Sequence, residues 1–112
     1  MRMLNPMNPQ NAGAASAGVH NLKTYTDVTQ LGLSAGAVTT AEVYDAMPNG
    51  SQLVISSNDI TDNPTTYGTC VIVRHAATRG FARFLQSGGT DEYKMACNLG
   101  AGGLTGTWVS YG

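Results

Sequence analysis

Asn58, Asp59, Asp62 and Asn63 gather several oxygen donors in one short polar stretch, the raw material of a calcium loop. Their spacing is not that of an EF-hand, and Asx turns use the same residues at the same density. His20 and His75 stand apart from each other and from any paired ligand, so no zinc or iron pattern forms. Ser, His and Asp all occur, yet there is no G-x-S-x-G elbow and no cysteine at a helix start with a histidine to pair with it. Glu42 and Asp45 share a helical turn without the i,i+4 spacing that would stack them. The residue types therefore point away from an enzyme and imply no cofactor and no metal. A polysaccharide hydrolase, whose paired carboxylates meet only in the fold or across a subunit boundary, is the enzymatic alternative. Cys70 and Cys97 belong to no CxxC motif; two buried free thiols and one disulfide between neighbouring strands are both compatible with their positions.

Aromatic side chains offer a different chemistry. A flat ring packs against the C–H face of a sugar while polar neighbours take its hydroxyls. Trp108, Tyr93 and Tyr111 could form such a platform, with core packing the competing role for Trp108. Tyr67 follows the polar Asn58 to Thr66 stretch and precedes a strand, which suits an exposed ring. The candidate ligand-binding set is Tyr67, Asp59, Asp62, Tyr93 and Trp108.

The elements that must position these residues change type once. In VTTAEVYDAMPNGSQLV, Val38 to Val54, Thr39 suits an N-cap, Glu42 completes a capping box, and Val38 and Val43 occupy the positions of a hydrophobic staple. Pro48 stops that helix, expected over Thr40 to Met47, and Asn49-Gly50 turns the chain into a strand. An earlier short helix is expected over Asp27 to Leu31, capped by Thr26 and left through Gly32. Five strands are predicted: Ser51 to Ser56, Thr69 to Arg74, Gly80 to Gln86, Glu92 to Asn98, and Gly106 to Tyr111. Short strands joined by tight turns, with Ser87-Gly88-Gly89-Thr90 as one, predict antiparallel neighbours. The expected class is α+β and sheet-dominated, two short N-terminal helices followed by an antiparallel sheet of about five strands. Apolar residues fall on both faces of the middle strands, so one face takes the helices and the other needs cover from another subunit or domain.

Residues 1 to 20 carry two prolines and a run of small residues without apolar periodicity, and read as a flexible linker; 21 to 112 form the folded unit. That unit of about 90 residues is a size at which one core is marginal and oligomerisation is a common remedy. The chain of 112 residues has a net charge of −1 and only 12% charged residues, and Arg74, Arg79, Arg83 and Lys94 are too few for the basic stripe of a nucleic-acid binder. Apolar runs fall short of the roughly 20 residues of a membrane helix. Asn49-Gly50-Ser51 matches a glycosylation acceptor, but the turn explains the pair without it.

Taken together, NLKTYTDVTQLGL, TTAEVYDAMPNGSQLV, RGFARFLQ, DEYKMA and LTGTWVSYG resemble the C-terminal modules of bacteriophage and prophage tail fibres, including the knob-type domains of pyocin-like tails. The resemblance spans about residues 21 to 112. It implies a small helix-plus-sheet unit ending near a Gly-x-Trp strand, here Gly106 and Trp108. It also implies a homotrimer at the tip of a virion tail or tail-like particle, contacting a glycan or protein of the host cell surface, and it makes 1 to 20 the end of the preceding shaft. A purely structural trimerisation or capping unit is the non-recognition alternative.

Overall fold

The capping box read from Thr39 and Glu42 is in place in the computed structural model, which describes residues 22–111. Glu42 N donates to Thr39 Oγ1 at 3.2 Å, and Thr39 N donates to the Glu42 carboxylate at 2.8 Å. These bonds satisfy donors that a helix start leaves free, and helix α1 runs over Thr40–Ala46. Asp62, from a distant loop, adds a second cap: its Oδ1 accepts from both the N and Oγ1 of the buried Thr40 at 2.9 Å. Met47 turns extended before Pro48, and Gly50, at φ 79°, swings the chain into a strand.

The sheet holds six strands in sequence order: β1 Lys23–Tyr25, β2 Ser51–Ser56, β3 Gly68–Ala76, β4 Arg79–Gln86, β5 Glu92–Ala96 and β6 Val109–Ser110. The four pairings among the expected strands are antiparallel as read, but the sheet is mixed, because an additional strand, β1, runs parallel to β2 with Lys23 opposite Ser51 and Tyr25 opposite Leu53. A parallel pair needs a crossover, and the segment 26–50 supplies it. The first expected helix is also corrected. Val28–Leu31 is a single 3-10 turn, so α1 is the one α-helix among the described residues. The cap is Asp27 rather than Thr26: its carboxylate accepts from Thr29 N at 2.8 Å, while the Gln30 side chain accepts from Asp27 N and Thr26 N. With Gly32 already left-handed, only four residues separate cap from exit, and Gln30 N and Gly32 N donate i→i−3 to Asp27 O and Thr29 O, the pattern of a 3-10 turn. The expected linker 1–20, with His20, lies outside the described residues.

Strand alternation sorts the side chains onto two faces. On the inner face Leu53, Ile72, Ala82 and Met95 form one cross-strand row, and Ile55, Cys70, Phe84 and Tyr93 form the next. Val28, Val43, Tyr44 and Met47 from the crossover close over them, and Ile60 and Leu104 complete the core. Phe84 is wholly buried and meets Tyr93 and Trp108 edge-on, with ring centroids 6.3 and 6.0 Å away. The outer face carries Val54, Val71, Arg83, Lys94 and Val109 in one row, with Gln52, Val73, Phe81 and Ala96 on one side of it and Ser56, Thr69, Leu85 and Glu92 on the other.

Two glycines set how closely the layers approach. A Cβ at Gly80 would strike the Val73 carbonyl oxygen and come within 2.7 Å of the Tyr44 hydroxyl; one at Gly68 would strike the Phe84 ring. A backbone oxygen in a ladder cannot step aside, so Gly80→Ala is expected to destabilise the fold by about 2–3 kcal/mol or more. Asp62→Ala, which strips the buried Thr40 of its acceptor, is expected to cost about 1–3 kcal/mol. Urea denaturation of both variants checks these values; an unchanged midpoint for Gly80→Ala would contradict the packing described.

Candidate functional site

The chain enters the sheet at one end and displays its most exposed aromatic ring at the other. At the entry end, Lys23 N donates to Gly50 O at 3.0 Å, Gly50 N donates to Arg74 O at 2.8 Å, and Gly103 N donates to Ala77 O at 2.9 Å. At the opposite, distal end lie the β2–β3 loop, the β4–β5 turn and the last strand's exit, where Tyr111 N donates to Glu92 O at 2.6 Å.

The β2–β3 loop is tied down along its length. Ser57 Oγ donates to Thr66 O at 2.7 Å, closing the loop on itself, and Thr61 N donates to Val38 O at 2.9 Å. Gly36 N donates to the Asp59 carbonyl at 2.9 Å, and Asp62 holds α1 as described above. The dense Asx content of this stretch thus goes into a 3-10 turn at Ser57–Asp59 and into interloop bonds. Among the described residues no group of three or more His, Cys, Asp or Glu gathers in a way that could hold a metal ion.

Tyr67 follows this loop with its ring 71% exposed. Its backbone is fixed: the Tyr67 carbonyl accepts from Ser87 N and from Thr65 Oγ1, each at 3.1 Å. Gly68, whose Cβ position faces the Phe84 ring, begins β3 directly after it, so Tyr67 stands at the strand's distal end. A large apolar ring on a pinned backbone, beside the polar Ser87-Gly88-Gly89-Thr90 turn, can receive a sugar or peptide face without paying for loop ordering.

The five residues expected to bind ligand do not converge. Tyr67 stands on the distal rim, and Asp59 lies partly buried in the same loop. Asp62 is engaged with Thr40, under the crossover. Tyr93 and Trp108 sit partly buried on the inner side against Phe84, and the Trp108 indole Nε1 is buried without a hydrogen-bond partner among the described residues. Trp108 lies just before β6 rather than within it. The sequence reading passed over a group on the outer face. Arg83 Nε pairs with Glu92 Oε2 at 2.7 Å, and Lys94 Nζ stands 4.5 Å from the Tyr111 ring centroid. Together with Phe81, the residues Arg83, Glu92 and Lys94 border a shallow depression of about 370 Å³. The alternation of RGFARFLQ with DEYKMA carried this signal, since Arg83, Glu92 and Lys94 share one parity once the strands are paired.

The cysteines are both free, Cys70 buried and Cys97 partly so. Burial, with the nearby Asp62 charge adding to it, pushes the Cys70 thiol from 9.0 up to about 12. Burial also pushes the Tyr44 hydroxyl up, and its contact with Cys97 works in the same direction. Neutral forms favoured by folding give stability that is complete below the unfolded values and declines as pH rises past them. The urea midpoint is therefore expected to fall from about pH 9 toward 12, with a shallower fall in Cys70→Ala. Thiol titration should find two thiols per chain in urea, with Cys70 protected in the native protein at pH 8. Compared with family models, with characterised proteins and with solved structures, the chain finds no match.

Proposed function

We propose that this unit is the receptor-binding tip of a phage or prophage tail fibre, attaching without enzymatic chemistry to a glycan or protein of the host cell surface as part of a homotrimer. The observation that carries the reading is Tyr67, a ring 71% exposed on a hydrogen-bonded backbone at the end opposite the chain's entry into the sheet. A shaft preceding β1 would approach at the entry end, so the distal end, with Tyr67, the Ser87 to Thr90 turn and Tyr111, would meet the host. Asp59 lies in the same loop, while Asp62 is committed to Thr40 and Tyr93 and Trp108 pack on Phe84 at the inner side, so the ring carries the contact. Each site is shallow and weak alone; several copies on one fibre, and several fibres on one particle, convert weak contacts into avidity. The rival reading, a structural cap that registers the shaft, draws on the open outer sheet face instead.

Adsorption of the labelled protein to isolated envelope fractions tests the proposal. Tyr67→Ala is expected to lower adsorption roughly tenfold or more, the loss of one well-placed aromatic contact at about 1.4 kcal/mol, with thermal stability unchanged. Leu99→Ala, at the other end of the sheet, should leave adsorption as it was. Equal adsorption by wild type and Tyr67→Ala would favour the cap.

A further inference from the structure

Of the large apolar side chains exposed among the described residues, Leu99 alone lies away from the outer sheet face and its distal rim. Val54 is 39% exposed, Phe81 38%, Leu85 43%, Val109 54% and Tyr111 60%, and strand register puts all of them on the side away from α1. Contiguous apolar surface of this kind marks an interaction site. Val73, whose cross-strand partners are Gln52 and Phe81, is already buried, so the patch has an apolar centre.

The charges on this face narrow the choice of occupant. Arg83, Lys94 and Glu92 stand within the apolar ground, both signs interleaved on neighbouring strands. An acidic or basic partner would be met by a field of one sign, and none exists here. A surface that mixes both signs around an apolar centre can meet the same surface of neighbouring copies, cation to carboxylate, with such faces turned toward a common axis. The size of the unit adds a second argument. One sheet with one covered face, over about 90 residues, leaves the chain short of buried area, and association with its own kind supplies more.

We infer that the outer face of β2 to β5, centred on Val54, Val73, Phe81 and Arg83, is the surface through which copies of this chain associate. The inference rests on the oligomeric part of the function proposed above and names the surface it uses. Tyr67 lies at the rim beyond the Leu85 row, so association through this face leaves its ring at the distal edge.

Native mass by light scattering on a sizing column, across a hundredfold range of protein concentration, tests it. Wild type is expected at a multiple of the 11.7 kDa chain mass. Phe81→Glu and Val54→Lys each place a charge in the apolar centre and are expected to return the mass to one chain, with an unchanged far-ultraviolet dichroism spectrum. Leu99→Lys, at a more exposed position off the face, should keep the wild-type mass. A monomeric wild type would overturn the inference, whether residues 1–21, a small ligand or nothing covers the face. So would folded Phe81→Glu and Val54→Lys proteins that keep the wild-type mass. The two proposals separate in the results: normal association without adsorption to envelope fractions sinks the receptor reading alone, and adsorption by a monomer sinks this one alone.

Discussion

Tyr44 is the contact on which the arrangement of layers depends. It stands in the middle of α1, wholly buried, and its hydroxyl donates to the Ala76 carbonyl at 2.7 Å while lying 3.1 Å from Cys97 Sγ. Cys97 Sγ in turn donates to Gly80 O at 3.1 Å. Arg74 stacks its guanidinium 5.0 Å from the Tyr44 ring centroid and donates to the Tyr44 carbonyl at 2.8 Å. One side chain thus joins the helix to the β3–β4 hairpin and to the end of β5. A seven-residue helix has no stability of its own, so its place is set by what it packs on. Gly80 makes the approach possible, because any side chain there would occupy the space the phenol ring fills.

With the helix fixed on one face, the rest of the molecule divides by face and by end. The inner face has a core and is closed. The outer face keeps its apolar residues and its mixed charges in the open. The entry end is spent on strand starts and backbone bonds, while the distal end holds a loop whose Asp62 carboxylate is used internally and whose last residue is an exposed ring. In the readings proposed above, recognition and assembly occupy different surfaces of one small unit: a rim for a ligand, a face for other copies.

Much of this order was legible in the chain. The Thr39–Glu42 capping box, the stop at Pro48, the turn at Gly50 and β2 over Ser51–Ser56 follow local rules, and local rules operate without knowledge of the fold. Apolar residues on both sheet faces were also readable, from their presence at both parities in β3 and β4. Tyr67 could be recognised as an exposed ring because polar turn residues precede it. The first strand was harder: Lys23–Tyr25 is three residues long, and only its Thr-Tyr pair hints at β structure. The 3-10 turn looked helical because Asp27, Gln30 and Gly32 are genuine cap residues; what they enclose is too short for an α-helix.

The sequence by itself determined α1, the strands β2 to β5 and the turns between them, because capping, alternation and turn chemistry act between residues a few positions apart. Only the tertiary structure decided that β1 pairs parallel with β2, that Asp62 caps a helix 22 residues before it, and that Arg83, Glu92 and Lys94 share a face while Tyr93 and Trp108 turn inward to Phe84. Those placements come from strand register and layer packing. A shift of one residue in the pairing of β4 and β5 would have turned Arg83, Glu92 and Lys94 toward the core and Phe84 and Tyr93 away from it.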